Sequence, residues 1–303
     1  MTHTIQISVV IGTYNQAHVL SKVLDAYTRQ SLSNDQFEVI LADSSSMDHT
    51  SDIVDLYKHQ FNLRHCIIPN QGKAFARNYA VRESMGDFII ITDADMIPDA
   101  GFIEAHLQAH RQSTQAICFE GAAFDLPDLS WPPNQETLVS QVGRVYRSGK
   151  RLGWWYFLTG NLSMPKQTFN AFSGFSEAFK GYGWEDLELG YRMFQSGIKL
   201  LYLPEAINYH YHVISDDDYV KRNIQKGQSA RLFLSKHPEL KWFLGLNPLS
   251  VAIYRWLTRK HGVREIVFNW ARHQSRMKQR IGYWITKEYY YLSGILDNGD
   301  SVL

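Results

Sequence analysis

Cysteine is nearly missing from this 303-residue chain. Cys66 and Cys118 make neither a disulfide framework nor a metal-ligand spacing, so a reducing, cytoplasmic setting is expected. Long apolar runs are missing too. The longest uncharged apolar-rich stretch near the carboxyl end, Trp242–Tyr254, is too short to span a bilayer and contains Asn247 and Pro248. No basic leader precedes the apolar run Ile5–Ile11, so no signal peptide is expected. Charge of one sign is absent only in total. The net value of +1 hides 16 Lys+Arg against 25 Asp+Glu in residues 1–218 and 15 against 5 in residues 219–303. An acidic body with a basic carboxyl-terminal region follows.

The most informative stretch that is present reads FIIITDADMIP, Phe88–Pro98. An apolar run breaks into Asp93 and Asp95, with the small Ala94 between them. Two carboxylates side by side repel. A divalent cation removes that cost, and hard cations such as magnesium or manganese favour oxygen ligands while leaving positions open for a diphosphate. Two solvated turn residues are the bland alternative.

Around this stretch strands and helices alternate. Ile5–Ile11, Phe37–Ala42, Cys66–Ile68 and Phe88–Thr92 read as strands, and a helix over Phe75–Met85 is closed by Gly86. The βαβαβ rhythm implies an α/β fold with a mostly parallel, Rossmann-like sheet flanked by helices. Ligands are then expected beyond the carboxyl ends of the strands. Thr13, Tyr14 and Asn15, then Asp43, then Asp93 and Asp95 all fall there. Turn chemistry explains each singly, but not their gathering on one rim.

Four segments in order, SVVIGTYN, LADSSSMDHT, NQGKAFARN and IIITDADMIP, resemble the nucleotide-binding half of the family-2 inverting glycosyltransferases of GT-A fold. A later segment, FSGFSEAFKGYGWEDLELGYR, resembles the acceptor-side motif of β-1,4-galactosyltransferases, polypeptide N-acetylgalactosaminyltransferases and chondroitin-type polymerases. The resemblance implies a nucleotide-sugar-binding half over residues 1–97 and an acceptor-binding half of the same domain over 98–212. A basic helical region, 213–303, follows. It also implies a UDP-sugar donor, Mn2+ or Mg2+, and a glycan, lipid-linked or peptide acceptor. Other readings are a sugar-1-phosphate nucleotidyltransferase, whose glycine-rich phosphate loop GTYNQAH does not supply, and a non-catalytic sugar-nucleotide or glycan-binding protein.

On the donor side the resemblance assigns Tyr14 and Asp43 to the nucleobase. An aromatic face can stack on a base and a carboxylate can accept an imide proton. Ser44 and Ser45 stand where the family usually has a second aspartate and a glycine. Gly72, Lys73 and Arg77 are expected near phosphates or base, with Arg77 offering a fork of donors. Asp95 is the expected direct metal ligand, with Asp93 on the ribose and metal. His210 and His212 are the distant candidates; one of the two is expected to face the metal, and motif position favours His210.

On the acceptor side, Glu185 and Asp186 are expected to open a helix, where carboxylates suit the macrodipole. The resemblance makes Asp186 the general base and Glu185 an acceptor-positioning residue. Glu188 and Arg192 are expected to form an i, i+4 pair. Trp154, Trp155 and Trp184 are candidates for stacking on sugar faces, and Gly160 and Asn161 for lining the donor sugar. The basic, tryptophan-rich residues 213–303 suit either an anionic membrane surface or a helical extension with a solvated face. No recognition motif for nucleic acid accompanies the charge.

Overall fold

The computed structural model describes residues 5–113, 115–126, 133–134, 136, 138–141, 146–211, 216–260, 262, 265 and 276–297. The chain divides into two units. One comprises Met1–Glu177 with Glu185–Val213, and the other Ala178–Trp184 with Ile214–Leu303. The halves expected at 97/98 thus share one unit. The short segment Ala178–Trp184, which nothing in composition marks, belongs with the basic region.

In the first unit, β1 (Ile7–Thr13), β2 (Phe37–Asp43), β3 (Leu63–Ile67) and β4 (Phe88–Asp93) are parallel. They alternate with helices α1 (Ala17–Thr28), α2 (Thr50–Tyr57) and α3 (Lys73–Glu83). After these come β5 (Met96–Pro98), α4 (Phe102–Arg111), β6 (Ile117–Leu126), β7 (Val139–Ser140), β8 (Arg151–Leu152), β9 (Leu162–Pro165), α5 (Lys166–Ala171), α6 (Glu185–Gln195) and β10 (Lys199–Tyr211). The main strand order is β3-β2-β1-β4-β9-β6-β10-β5. The order reverses beside β1, because β2 lies on one side of it and β4 on the other. That is a topological switch point, where a crevice opens beyond the strand ends. In register there, Gly12 faces Asp93 and Thr13 faces Asp43.

β1, β2 and β4 are near-continuous apolar runs because both faces of the sheet are covered. Ile7, Val9 and Ile11 pack into one core with α1 and α4, while Val10 packs into the other with α3 and α6. The strand expected at Leu200–Leu203 runs far longer, over Lys199–Tyr211. It continues past an irregularity between Leu203 and Ile207, pairing with β6 throughout and with β5 at its end. Local alternation is broken at that irregularity, so the sequence pattern loses the strand halfway.

A buried polar relay ties α4 to the sheet. His110 Nε2 donates to Ser163 Oγ at 2.8 Å, and Ser163 Oγ donates to His106 Nδ1 at 2.8 Å. His106 Nε2 donates to Asn161 Oδ1 at 2.9 Å, and Asn161 Nδ2 donates to the carbonyls of Ala122 and Ala206 at 3.0 and 2.9 Å. Each step fixes the next, and both imidazoles are neutral. Burial pushes His106 down to about 4 and His110 to about 3.

In the second unit, α7 (Asp216–Lys236) lies against α9 (Arg276–Leu296), with α8 (Pro248–Arg259) between them in sequence. Gly227 and Gly294 let the two backbones meet: a Cβ on Gly227 would stand 2.0 Å from the Tyr291 carbonyl oxygen.

Once unfolded, both relay imidazoles titrate near their ordinary value of about 6.5, so they bind protons there that the folded chain refuses. Their contribution to stability is complete above about pH 6.5 and is lost as pH falls through the folded values toward 4 and 3, to limits of about 3 kcal/mol for His106 and about 5 kcal/mol for His110. Urea midpoints should therefore drop between pH 7 and pH 5, and the slope in that window should be shallower in His110→Gln.

Candidate active site

The crevice at the switch point gathers most of the expected donor-side residues. Tyr14 is half exposed on the β1 rim. Asn15 sits at φ +52°, a left-handed position asparagine tolerates. Its backbone N–H donates to Ser46 Oγ at 2.9 Å, and its side-chain oxygen accepts from Met47 N–H at 2.8 Å. This knits the loops after β1 and β2 into one frame around Tyr14. Asp43 is buried at its base. It accepts from Ser46 N–H at 2.8 Å and contacts His65 Nε2 at 3.1 Å. Burial alone would raise its pKa, but those bonds hold it below the ordinary carboxylate range. His65 was not singled out in the sequence. It lies on edge strand β3 opposite Leu41, two register positions from Asp43 and so on the same face, and only strand pairing brings it there. Thr13 and Ala94 are buried, leaving Ala94 only its backbone to offer. Gly72, at φ +96°, ends the approach to α3 in a conformation that suits glycine.

Arg77 departs from expectation. Its side chain projects from α3 into the protein, 1% exposed, rather than toward open phosphate space. Nη2 donates to Asp93 Oδ1 at 2.6 Å and Nη1 donates to Glu185 Oε1 at 3.0 Å, with the guanidinium over the Phe175 ring. The fork is thus already engaged by two carboxylates. Lys73, on the exposed first turn of the same helix, reaches Asp93 Oδ2 at 3.4 Å. Desolvation works to raise the Asp93 pKa, but Lys73 and Arg77 together hold it low.

Asp95 and His210 meet because β10 pairs antiparallel with β5, with His210 opposite Met96. His210 Nε2 lies 3.6 Å from Asp95 Oδ2. On the other side, Nδ1 lies 2.9 Å from Oδ1 of Asp125, its register partner on β6. Gln141 Nε2 donates to the same Asp125 oxygen at 2.8 Å. Burial would lower the His210 pKa, yet the two carboxylates raise it to about 9. The two carboxylates therefore favour positive charge at this position. The donor set fits a hard divalent cation: one carboxylate and one imidazole whose far nitrogen is braced by a second carboxylate, with room for substrate oxygens. Among the described residues no three His, Cys, Asp or Glu side chains converge as a ready cage. His212 lies outside the described residues. Pairing with β5 and β6 is what brings His210 beside Asp95 and Asp125. A cleft of 480 Å3 opens beside it, lined by Asp125, Leu126, Gln141, Leu158 and His210. Asp125 and Gln141 escaped sequence reading. The only cue for Asp125 was a polar residue at the end of an apolar strand.

On the acceptor side, Gly183 and Trp184 have φ of +84° and +75° and turn the chain sharply into α6, which Glu185 and Asp186 open. Glu188 and Arg192 form the expected pair at 2.9 Å, and Arg192 also caps the carbonyls of Phe172 and Gly174. Asp186 is partly exposed, and its Oδ1 accepts from Leu187 N–H at 2.7 Å. Three of the aromatic and amide candidates lie buried. Trp184 is buried in the second unit against Phe233, Phe243 and Tyr291, with Lys226 over its ring, and little of it remains for a sugar. Trp154 is buried against Tyr191. Asn161 spends its whole amide in the relay with His106. Trp155 is 49% exposed and remains open for stacking. The Gly160 carbonyl accepts from Thr92 and Asn208.

Comparison with known proteins agrees with this geometry. The profile of glycosyl transferase family 2 matches residues 8–176, and that of the N-terminal domain of galactosyltransferase matches residues 142–216. Validoxylamine A glucosyltransferase of Streptomyces hygroscopicus subsp. jinggangensis is 28% identical over 232 residues, covering 68% of this chain and 55% of that protein. Chondroitin synthase of Pasteurella multocida is 22% identical over 268 residues, covering 77% of this chain and 28% of that one. The chain thus spans about half the length of the validoxylamine A glucosyltransferases it matches. Among solved structures, the mannosyltransferase PcManGT of Pyrobaculum calidifontis, in complex with GDP-Man and Mn2+, superposes with a TM-score of 0.61 at 17% identity. The match covers 97% of this chain and 88% of that one. TarS of Staphylococcus aureus, in complex with UDP-GlcNAc, gives 0.59 at 14% identity over 96% and 90%. These neighbours share the GT-A-like sheet with its flanking helices.

Removing one partner of a buried charge network leaves the others uncompensated, at about 3–5 kcal/mol. Arg77→Met should cost that much in urea unfolding, because two carboxylates lose their common cation. A guanidinium that served only to bind phosphate would leave the unfolding midpoint unchanged.

Proposed function

Because this chain belongs to glycosyl transferase family 2, we propose that it transfers a sugar from a nucleotide donor, UDP first among them, to an acceptor hydroxyl. The observation that carries this reading is the guanidinium of Arg77. It spans from Asp93, on the donor rim, to Glu185, which opens the acceptor helix, at 2.6 and 3.0 Å. Donor-side and acceptor-side carboxylates therefore belong to one electrostatic unit.

In this reading Tyr14 stacks on the base and Asp43, braced by His65, accepts its imide proton. Lys73 reaches toward the diphosphate. Asp95 and His210, with Asp93 nearby, would hold Mn2+ or Mg2+, which supplies neutralising charge to the departing diphosphate when bound. Glu185 is fixed by Arg77 and orients the acceptor. Asp186 takes the proton of the attacking hydroxyl. The acceptor oxygen forms its bond to the anomeric carbon as the bond from that carbon to the phosphate oxygen breaks, and the electron pair leaves with the nucleotide. One base and one displacement invert the anomeric centre. Trp155 is placed by this reading beside the sugars. The acceptor is a glycan, a lipid-linked sugar or a peptide, and peripheral membrane association of the second unit would suit a lipid-linked one.

Nucleotide release from a panel of UDP- and GDP-sugars, with Mn2+, tests the proposal. Release from one donor should vanish with chelator and with Asp95→Ala. Asp186→Asn should retain nucleotide binding by calorimetry while turnover falls about 10²–10⁴-fold, the usual worth of a general base. Retained turnover in Asp186→Asn would remove that residue from the mechanism. Binding of nucleotide without turnover of any donor and acceptor pair would point to a binding protein instead.

A further inference from the structure

The second unit carries a surface that the transferase reading leaves unused. Helix α8 is apolar on two sides. Its inner side is accounted for: Val251, Tyr254 and Leu257 are buried, the Tyr254 ring lies 5.2 Å from that of Tyr289, and its hydroxyl donates to Asp297 Oδ1 at 2.5 Å. Its outer side should then be polar, as in an ordinary surface helix. Instead it bears Leu249, Ile253 and Trp256, which are 70%, 49% and 52% exposed. Their spacing of i, i+4, i+7 puts them in one stripe along the helix, with the exposed Ala252 beside it. Just before the helix, Trp242 is 73% exposed.

Charge decides what such a stripe suits. Residues 240–264 contain five Lys and Arg and no Asp or Glu. Arg255 and Arg259 flank the stripe on one side of α8, and both are exposed. Tryptophan and leucine with flanking arginines, and no acid, match the boundary between anionic headgroups and acyl chains. Among the described residues no helix is long and apolar enough to cross a membrane, so a helix of this kind would lie in the surface plane. A protein partner with an apolar groove would meet the same leucine and tryptophan, but nothing would then call for the arginine flank beside them.

We propose that the outer face of α8, with Leu249, Ile253 and Trp256 and the basic flank of Arg255 and Arg259, docks this chain on an anionic lipid bilayer. It specifies the surface and the lipid charge behind the membrane association suggested above, and it stands or falls independently of the transferase chemistry.

The full chain is sedimented with phosphatidylcholine vesicles and with vesicles of phosphatidylcholine and phosphatidylglycerol in equal amounts. Pelleting with the anionic vesicles only, with a blue shift of tryptophan emission, is the expected result. The partition should weaken at least ~10-fold in Leu249→Ser/Trp256→Ser and again in Arg255→Glu/Arg259→Glu. Thermal melts by circular dichroism should be unchanged, since all four side chains are exposed. No pelleting with either vesicle, or equal pelleting of wild type and both variants, would overturn the proposal. So would a concentration-dependent dimer that Leu249→Ser/Trp256→Ser abolishes, since a second copy would then be the occupant. Donor hydrolysis without vesicles should be the same in all of these proteins, which separates failure of docking from failure of the enzymatic reading.

Discussion

One buried cation organises the first unit. Arg77 brings its charge out of water, a cost of several kcal/mol that only close anionic partners can offset. Asp93 and Glu185 are those partners. The three residues come from separate elements, the middle of α3, the end of β4 and the start of α6. Satisfying one electrostatic demand therefore fixes the position of α6 against the sheet. Burial raises the cost of any departure from this geometry, so the arrangement is stiff where catalysis would need it to be.

A second dependence runs through strand pairing. β10 would be unremarkable as a short core strand. Because it continues past its irregularity, its far end pairs with β6 on one side and β5 on the other, and His210 arrives between Asp125 and Asp95. Two carboxylates then define a position that favours positive charge, whether an imidazolium proton or a divalent ion. The same architecture buries a neutral polar relay through His106, His110, Ser163 and Asn161. Two sets of histidine contacts in one unit thus have opposite electrostatics, set by whether carboxylates or neutral groups face the rings.

The first four strands, their parallel sense, the rim on which Tyr14, Asp43, Asp93 and Asp95 gather, and the acidic opening of α6 were legible from apolar runs and local motifs, because each is a short-range pattern. Pairing was not. Arg77 looked like a phosphate ligand from its motif and is an internal bridge, since nothing local says which way a helical side chain points when two carboxylates from other elements await it. Asn161, Trp154 and Trp184 had the right chemistry for sugars, but amide and indole groups serve equally well inside a core, and burial took them. His65 and Gln141 carried no local signal, and Asp125 only that of a polar residue ending an apolar strand: their roles arise from neighbours brought close by strand pairing, and register between strands distant in sequence is a property of the folded sheet alone.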